Sequence, residues 1–212
     1  MSAKMNSKQD AKKCILESAA KLFSKLGLDK TSTRDISKES HANISLISYH
    51  FGGKEGLYRE VIREFALKVR DKVQPSLTEF KNQPMSKELF RKEVETMIDN
   101  MIEMRTAHPE ISVILAREKI EGMPLCKEVH EEIFYPMIQN FFDMFKAGQA
   151  KGIIREHLHP ALFFILLSEG VFGFFELMDC ETKINKDCAE FIKDKDLLKQ
   201  QVVDLYLNGV LV

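Results

Sequence analysis

The chain has 212 residues, 44% hydrophobic and 30% charged, which is ordinary for a soluble globular protein and excludes a disordered or fibrous one. The length suits one large or two small domains with a real core. The formal net charge of −1 hides an asymmetry: residues 1–60 carry 11 basic against 7 acidic residues (net +4), and the remainder carries 20 against 25 (net −5).

The periodicity is helical throughout, with no alternating strand pattern and no internal repeat. A first helix is expected from Ser7 or Asp10 to Leu26, with Ile15, Ala19, Leu22, Phe23 and Leu26 as its apolar stripe and Gly27 as its stop. Cys14 falls within this pattern as a core residue. Two short helices follow. Ser32-Thr33-Arg34-Asp35 fits a capping box, and Asn43 is a preferred N-cap type for the second of the two. The next helix is expected from Lys54 to about Lys72, ending before Pro75. Another lies between Pro84 and Pro109, capped by Ser86. A shorter one runs from Pro109 to about Ile120 and breaks at Gly122. The segment from Pro124 to Gly148 should be kinked or split by Pro136, which lacks a backbone donor.

Gly148 and Gly152 mark a connection. His159-Pro160 then opens Ala161–Met178, which is apolar nearly all round. Glu169 and Glu176 would be costly at bilayer depth, so this segment is expected to be a buried helix and no membrane partner is expected. A polar stretch from Glu181 to about Ala189 leads to a last helix ending near Asn208-Gly209.

The N-terminal MSAKMNSKQDAKK is polar, and no apolar run follows it, so no secretory signal is expected and the location is expected to be cytoplasmic. The four cysteines (Cys14, Cys126, Cys180 and Cys188) show no C-x-x-C and no metal-ligand spacing with histidine, which suits reduced thiols. Cys180 and Cys188 form a weak redox candidate. There is no paired Ser/His/Asp arrangement, no phosphate loop and no H-E-x-x-H. No enzyme, cofactor or metal is therefore expected.

Residues 31–51 read as a helix-turn-helix, packed through Ile36, Ala42, Ile47 and Phe51. Taking Ile47 as inward and rotating 100° per residue keeps Phe51 inward. Ser45 and Tyr49 then point outward, with Leu46 and Ser48 on the flanks. Thr31-Ser32-Thr33-Arg34-Asp35-Ile36-Ser37, Ile47-Ser48-Tyr49-His50-Phe51 and Gly53-Lys54-Glu55-Gly56-Leu57 together resemble the TetR family of bacterial transcriptional regulators. That family's pattern is T-T-x-x-D-I-A, then L-Y-x-H-F, then S-K-E-x-L. Ser48 stands where the family often has tyrosine, and Ser45 where it often has glycine.

The resemblance implies an all-α fold. Residues 1–56 would be a three-helix DNA-binding domain, and residues 57–212 a larger helical domain that binds an effector and dimerises. By resemblance and by the helical geometry, Ser45, Leu46 and Tyr49 are the groove candidates, with Ser48 beside them. Thr33, Tyr49, His50 and Lys54 are phosphate candidates, with Arg34 and Lys30 near enough to help. The early lysines Lys4, Lys8, Lys12 and Lys13 would add nonspecific grip.

In the body, Met97, Met101, Met104, Phe134, Phe141, Phe142 and Phe164 are the effector candidates, with Phe145 and Phe163 nearby in sequence. Glu103, Arg105, His108, Arg117, Glu118 and Glu169 would either orient a polar group of the ligand or form ion pairs. Phe172, Phe175, Leu177, Leu198, Val202, Leu205 and Tyr206 are the dimer candidates, with Gly170 and Gly173 permitting close approach. The implied partners are a palindromic double-stranded operator, a second copy of the chain and an unknown small effector. The implied mechanism is a homodimeric repressor, released when the effector pivots the helix that begins at Lys54. Activation is an alternative, as is a DNA-associated protein acting mainly through a protein partner.

Overall fold

The computed structural model describes residues 2–81, 83–180, 182–208 and 210, without the side chains of 2–9, 76–81 and 189–190. Every regular element among them is helical, and no strand occurs. The chain divides into two compact units. One comprises residues 1–70 and 108–135, the other residues 71–107 and 136–212.

The first unit is built on α1 (Ser2–Lys30), α2 (Thr33–Ser40), α3 (Ile44–Phe51), the start of α4 (Lys54–Lys81) and α6 (Pro109–Ile120), α5 lying in the other unit. Helix α1 packs against α2 and α6, and α2 packs against α3. The buried set includes Ile15, Ala19, Phe23, Ile36, Ile47, Leu57, Ile62, Phe65 and Ile114. Helical geometry fails at Gly27, whose φ of 80° is left-handed, so the stop read from sequence falls in place. The apolar stripe of α1 ends earlier than expected, since Leu26 is exposed. Cys14 is also exposed and is not a core residue, because it lies on the side of α1 away from Ile15 and Ala19.

The second unit holds α5 (Lys87–Ala107), α8 from Pro136 onward (Tyr135–Ala150), α9 (Pro160–Met178), α10 (Lys183–Asp187), α11 (Ala189–Lys193) and α12 (Lys195–Leu207). Ser86 caps α5 as expected, its hydroxyl accepting the Leu89 N–H at 3.1 Å. Helix α5 packs against α9 and α12. Phe90, Ile98, Phe145, Phe163, Leu167, Leu198 and Leu207 form the centre of the core. The Phe141 and Phe163 rings stack 6.0 Å apart.

Three expectations about helix ends are corrected. Helix α4 continues through Pro75 to Lys81. Pro75 is exposed, so the loss of one backbone donor there falls on helix surface that water reaches. The Pro124–Gly148 segment is divided before Pro136 rather than at it. Helix α7 (Lys127–Val129) passes into a π-helical turn, His130–Phe134, before α8 begins. The wider register accommodates a proline that has no N–H to donate. Gly148 lies inside α8 rather than in a connection. A Cβ there would sit 2.5 Å from Ile154 Cδ1, so this glycine permits packing, while Gly152 (φ 67°) makes the turn.

Helix α9 departs from the expected burial. Phe163, Leu167, Val171 and Phe175 are buried at four-residue spacing, while Leu162, Ile165, Leu166 and Leu177 are exposed. Among the described residues it is the one helix long and apolar enough to cross a membrane, by length and composition only. Its exposed side also carries Glu169 and Glu176.

Candidate nucleic-acid interface

Both caps read from sequence are formed. Ser32 Oγ accepts the Asp35 N–H at 3.1 Å, and the Asp35 carboxylate accepts the Ser32 N–H at 3.3 Å and its hydroxyl at 2.6 Å. The Ser32 hydroxyl, and then its backbone N–H, hold the Asp35 carboxyl below its usual range. Asn43 Oδ1 accepts the Ser45 N–H at 2.9 Å. Between the two helices, His41 takes a left-handed φ of 52°, and Ser37 Oγ donates to the Ala42 carbonyl at 2.6 Å. Gly52 (φ 71°) closes α3 by donating to the Ser48 carbonyl at 3.0 Å.

These local bonds fix α3 so that Ile47 and Phe51 face inward while Ser45, Ser48, Tyr49 and His50 face solvent. Tyr49 is 77% exposed, so it does not cover the core. Its ring meets His50 edge-on at 4.8 Å. Leu46 and Thr33 are half-buried, and Arg34 and Lys30 are exposed.

The end of α1 is held by three side chains from different elements. Thr31 Oγ1 donates to the Gly27 carbonyl at 2.7 Å and to that of Leu22 at 3.3 Å. Lys54 Nζ donates to the Leu28 and Asp29 carbonyls at 2.7 and 3.3 Å. Arg117, on α6, donates to the Phe23 and Ser24 carbonyls at 2.8 and 3.2 Å. Cations there complement both the orphan carbonyls and the negative end of the helix dipole. Lys54 is thus a structural tie within the head. An ammonium has three N–H groups, and these two carbonyls take two of them.

Lys12 is turned to Glu60 and Glu64 at 2.9 and 3.3 Å, which removes it from the expected phosphate grip. Glu60 chiefly holds its ammonium above the usual lysine range. Lys4 and Lys8 lie outside the described side chains.

Glu118 is buried beside Arg117. Its Oε2 accepts the Leu125 and Cys126 N–H groups at 3.1 and 2.9 Å, and it is hydrogen-bonded to the buried Tyr58 phenol. Burial, then the Glu118 carboxylate, pushes the Tyr58 phenol well above its usual range and the Cys126 thiol up to about 12. Met123, at a left-handed φ of 60°, donates to the Glu118 carbonyl at 2.6 Å and turns the chain back onto that carboxylate. Sequence reasoning placed Arg117 and Glu118 only among undecided polar groups. The Arg117 partners lie 94 and 93 residues away, and Tyr58 is likewise beyond any local signal at Glu118.

The second unit holds most of the remaining candidates. Met101 and Phe141 are buried in its core, while Met97, Met104, Phe142 and Phe164 are half-buried. Phe134 belongs instead to the first unit, 6.3 Å from the His130 ring. Among the dimer candidates, Phe175 and Leu198 are buried within their own unit. Phe172, Val202 and Tyr206 are half-buried, Leu177 is exposed, and Leu205 is 77% exposed. Gly170 receives the Tyr206 hydroxyl, which would lie 2.5 Å from a Cβ there and donates to the Leu166 carbonyl at 2.8 Å. Glu103 pairs with Lys72, and Arg105 with Asp179. His108 lies edge-on to Phe65 at 5.6 Å. Among the described residues, no His/Cys/Asp/Glu group could hold a metal ion.

Residues 15–61 match the family described as "Bacterial regulatory proteins, tetR family". The chain is 26% identical over 122 residues to the "Probable HTH-type transcriptional regulator YttP" of Bacillus subtilis (strain 168), covering 58% of this chain and 56% of that one. It is 26% identical over 135 residues to the "HTH-type transcriptional dual regulator CecR" of Shigella flexneri, covering 61% and 60%. The chain thus spans less than two thirds of the length of these curated relatives. The fold is similar to that of HlyIIR, a hemolysin II transcriptional regulator, with a TM-score of 0.66 at 20% identity over 94% of this chain and 98% of that one. Residues 15–61, with the capped helix α3 among them, thus match the head of the tetR family of bacterial regulatory proteins.

Proposed function

We propose that the protein is a DNA-binding transcriptional regulator, acting as a homodimeric repressor that a small, largely apolar effector releases from a palindromic operator. The observation that carries this reading is the exposed face of α3. Ser45, Ser48 and Tyr49 are presented to solvent by a helix anchored through Ile47 and Phe51. Residues 1–56 form the reader and residues 57–212 the effector-binding and dimerising body. Leu46 meets a thymine methyl, and Ser45 hydrogen-bonds a base edge. Thr33, Arg34 and His50 hold phosphates, and Lys54 adds its third N–H while fixing the end of α1.

Pairing is supported by the apolar residues left exposed in the second unit: Leu162, Ile165, Leu166 and Leu177 on α9, and Leu205 on α12. Exposed apolar side chains of this kind suit an interface, and a two-fold dimer reads two half-sites. Phe172, Val202 and Tyr206 are half-buried on the same two helices. The effector meets adaptable, partly buried side chains such as Met97, Met104, Phe142 and Phe164. By its differential affinity for two states, it shifts α4 and thereby the separation of the heads. A cytoplasmic location follows from this role. One relative's name, "dual regulator", favours activation at some promoters as the second reading.

The test is binding of purified protein to DNA flanking its own gene, over a salt series with competitor DNA. Saturable, salt-sensitive retention at one palindromic site is expected. Affinity no better than for random DNA would overturn sequence-specific regulation from that locus.

A further inference from the structure

Arg105 is buried in the second unit, only 3% exposed. Its Nη2 donates to Asp179, whose carboxylate is 62% exposed, and its guanidinium lies 5.9 Å from the Phe175 ring. Its Nε is buried with no hydrogen-bond partner. In a guanidinium, Nε–H and the outer Nη2–H point the same way and form one edge that matches two oxygens of a carboxylate. Asp179 fills half of that edge. A buried cation with an orphaned donor is costly, so the unused position calls for a second oxygen.

The surroundings define what would bring it. Met97, Met101 and Met104 recur at helical spacing on α5 and reach Arg105 after about two turns, roughly 12 Å along the axis. Met101, Ile102 and Phe175 belong to the apolar core cluster, and Met97 packs against it. Methionine side chains repack around an inserted apolar group at low cost.

We infer that Arg105 receives the carboxylate of an amphipathic ligand whose apolar chain lies along the methionine stripe of α5. In the unliganded protein Asp179 holds part of that position. When ligand binds, its two oxygens take the Nε–Nη2 edge, and Asp179, already largely in water, is released to solvent. This rests on the proposed effector role of the second unit and names the chemistry of the effector. A carboxylate is required for tight binding, and a neutral isostere lacks it.

The test is calorimetric titration of the intact protein, without DNA, with decanoate and with decanol, each below its aggregation concentration. Three proteins are compared: the wild type, Arg105→Met and Asp179→Ala. The wild type should bind decanoate roughly tenfold or more tightly than decanol, as charge-assisted hydrogen bonds require. Arg105→Met should bind both equally. Asp179→Ala, which changes an exposed side chain and so stays informative should Arg105→Met misfold, should bind decanoate more tightly than wild type. Equal binding of decanol and decanoate by the wild type, or binding of neither, would overturn the assignment. So would an Asp179→Ala protein that binds decanoate no more tightly. Because the titration contains no DNA, its failure is separable from failure of the operator experiment.

Discussion

A Cβ built on Gly56 lies 1.8 Å from the Phe51 carbonyl oxygen, so the end of α3 and the start of α4 meet across a glycine that nothing larger can replace. In an open helix Gly→Ala stabilises by roughly 0.5–1 kcal/mol. Here the added methyl strikes backbone at the end of α3, and overpacking of this kind costs about 1–3 kcal/mol. Gly56→Ala should therefore lower the denaturation midpoint, with urea unfolding as the measurement. An unchanged or raised midpoint would show that the two helices separate freely. A second residue-scale expectation concerns Cys126. Burial, then Glu118, raises its thiol from about 9 in the unfolded chain to about 12 in the fold. The unfolded chain thus loses its proton first. The stabilisation is complete below pH 9 and declines as pH rises toward about 12. Tyr58, shifted the same way, adds to the alkaline loss. Cys126→Ala should flatten the decline in stability above pH 9, read by urea unfolding across pH. At neutral pH, thiol reagents should label exposed Cys14 and Cys180 well before Cys126.

At the scale of elements, what was legible followed the range of the interaction. Ser32, Asn43 and Ser86 announce helix starts because a cap joins a side chain to an N–H two or three residues on. The inward turn of Ile47 and Phe51 follows from period alone. Arg117 gripping the end of α1, and Arg105 meeting Asp179, leave no local trace, since 93 and 74 residues separate those partners. Proline was misjudged in α4 because the sequence rule assumes that the lost hydrogen bond is decisive. In an exposed stretch water replaces it. The same reasoning yields a prediction. Pro75→Ala restores a backbone N–H to α4 and removes the ring clash, and a helix-interior proline costs about 3 kcal/mol relative to alanine. The variant should be more stable by roughly 1–3 kcal/mol, seen as a higher thermal midpoint with unchanged helicity. A lower midpoint would mean that Pro75 serves a bend the fold needs.

For the whole molecule, the proposed function requires that two weak readers act together. On that proposal one head would offer few base contacts, so affinity would depend on binding two half-sites at once, and the pairing surface would govern DNA binding without touching DNA. Leu166 and Leu205 are exposed apolar side chains of the second unit, outside its core cluster. Replacing them with charges (Leu166→Arg with Leu205→Asp) leaves that core intact but sets desolvation of charge against association. The double variant should sediment as a monomer where the wild type is a dimer, with unchanged helical content. Its DNA affinity should fall, and so should the slope of log affinity against log salt. That slope counts phosphates neutralised, at about −0.9 per contact, and one head in place of two should roughly halve it. A monomer that kept the wild-type slope would place all phosphate contacts in one head and remove the need for a paired operator. A double variant that stayed dimeric would move the pairing surface away from Leu166 and Leu205.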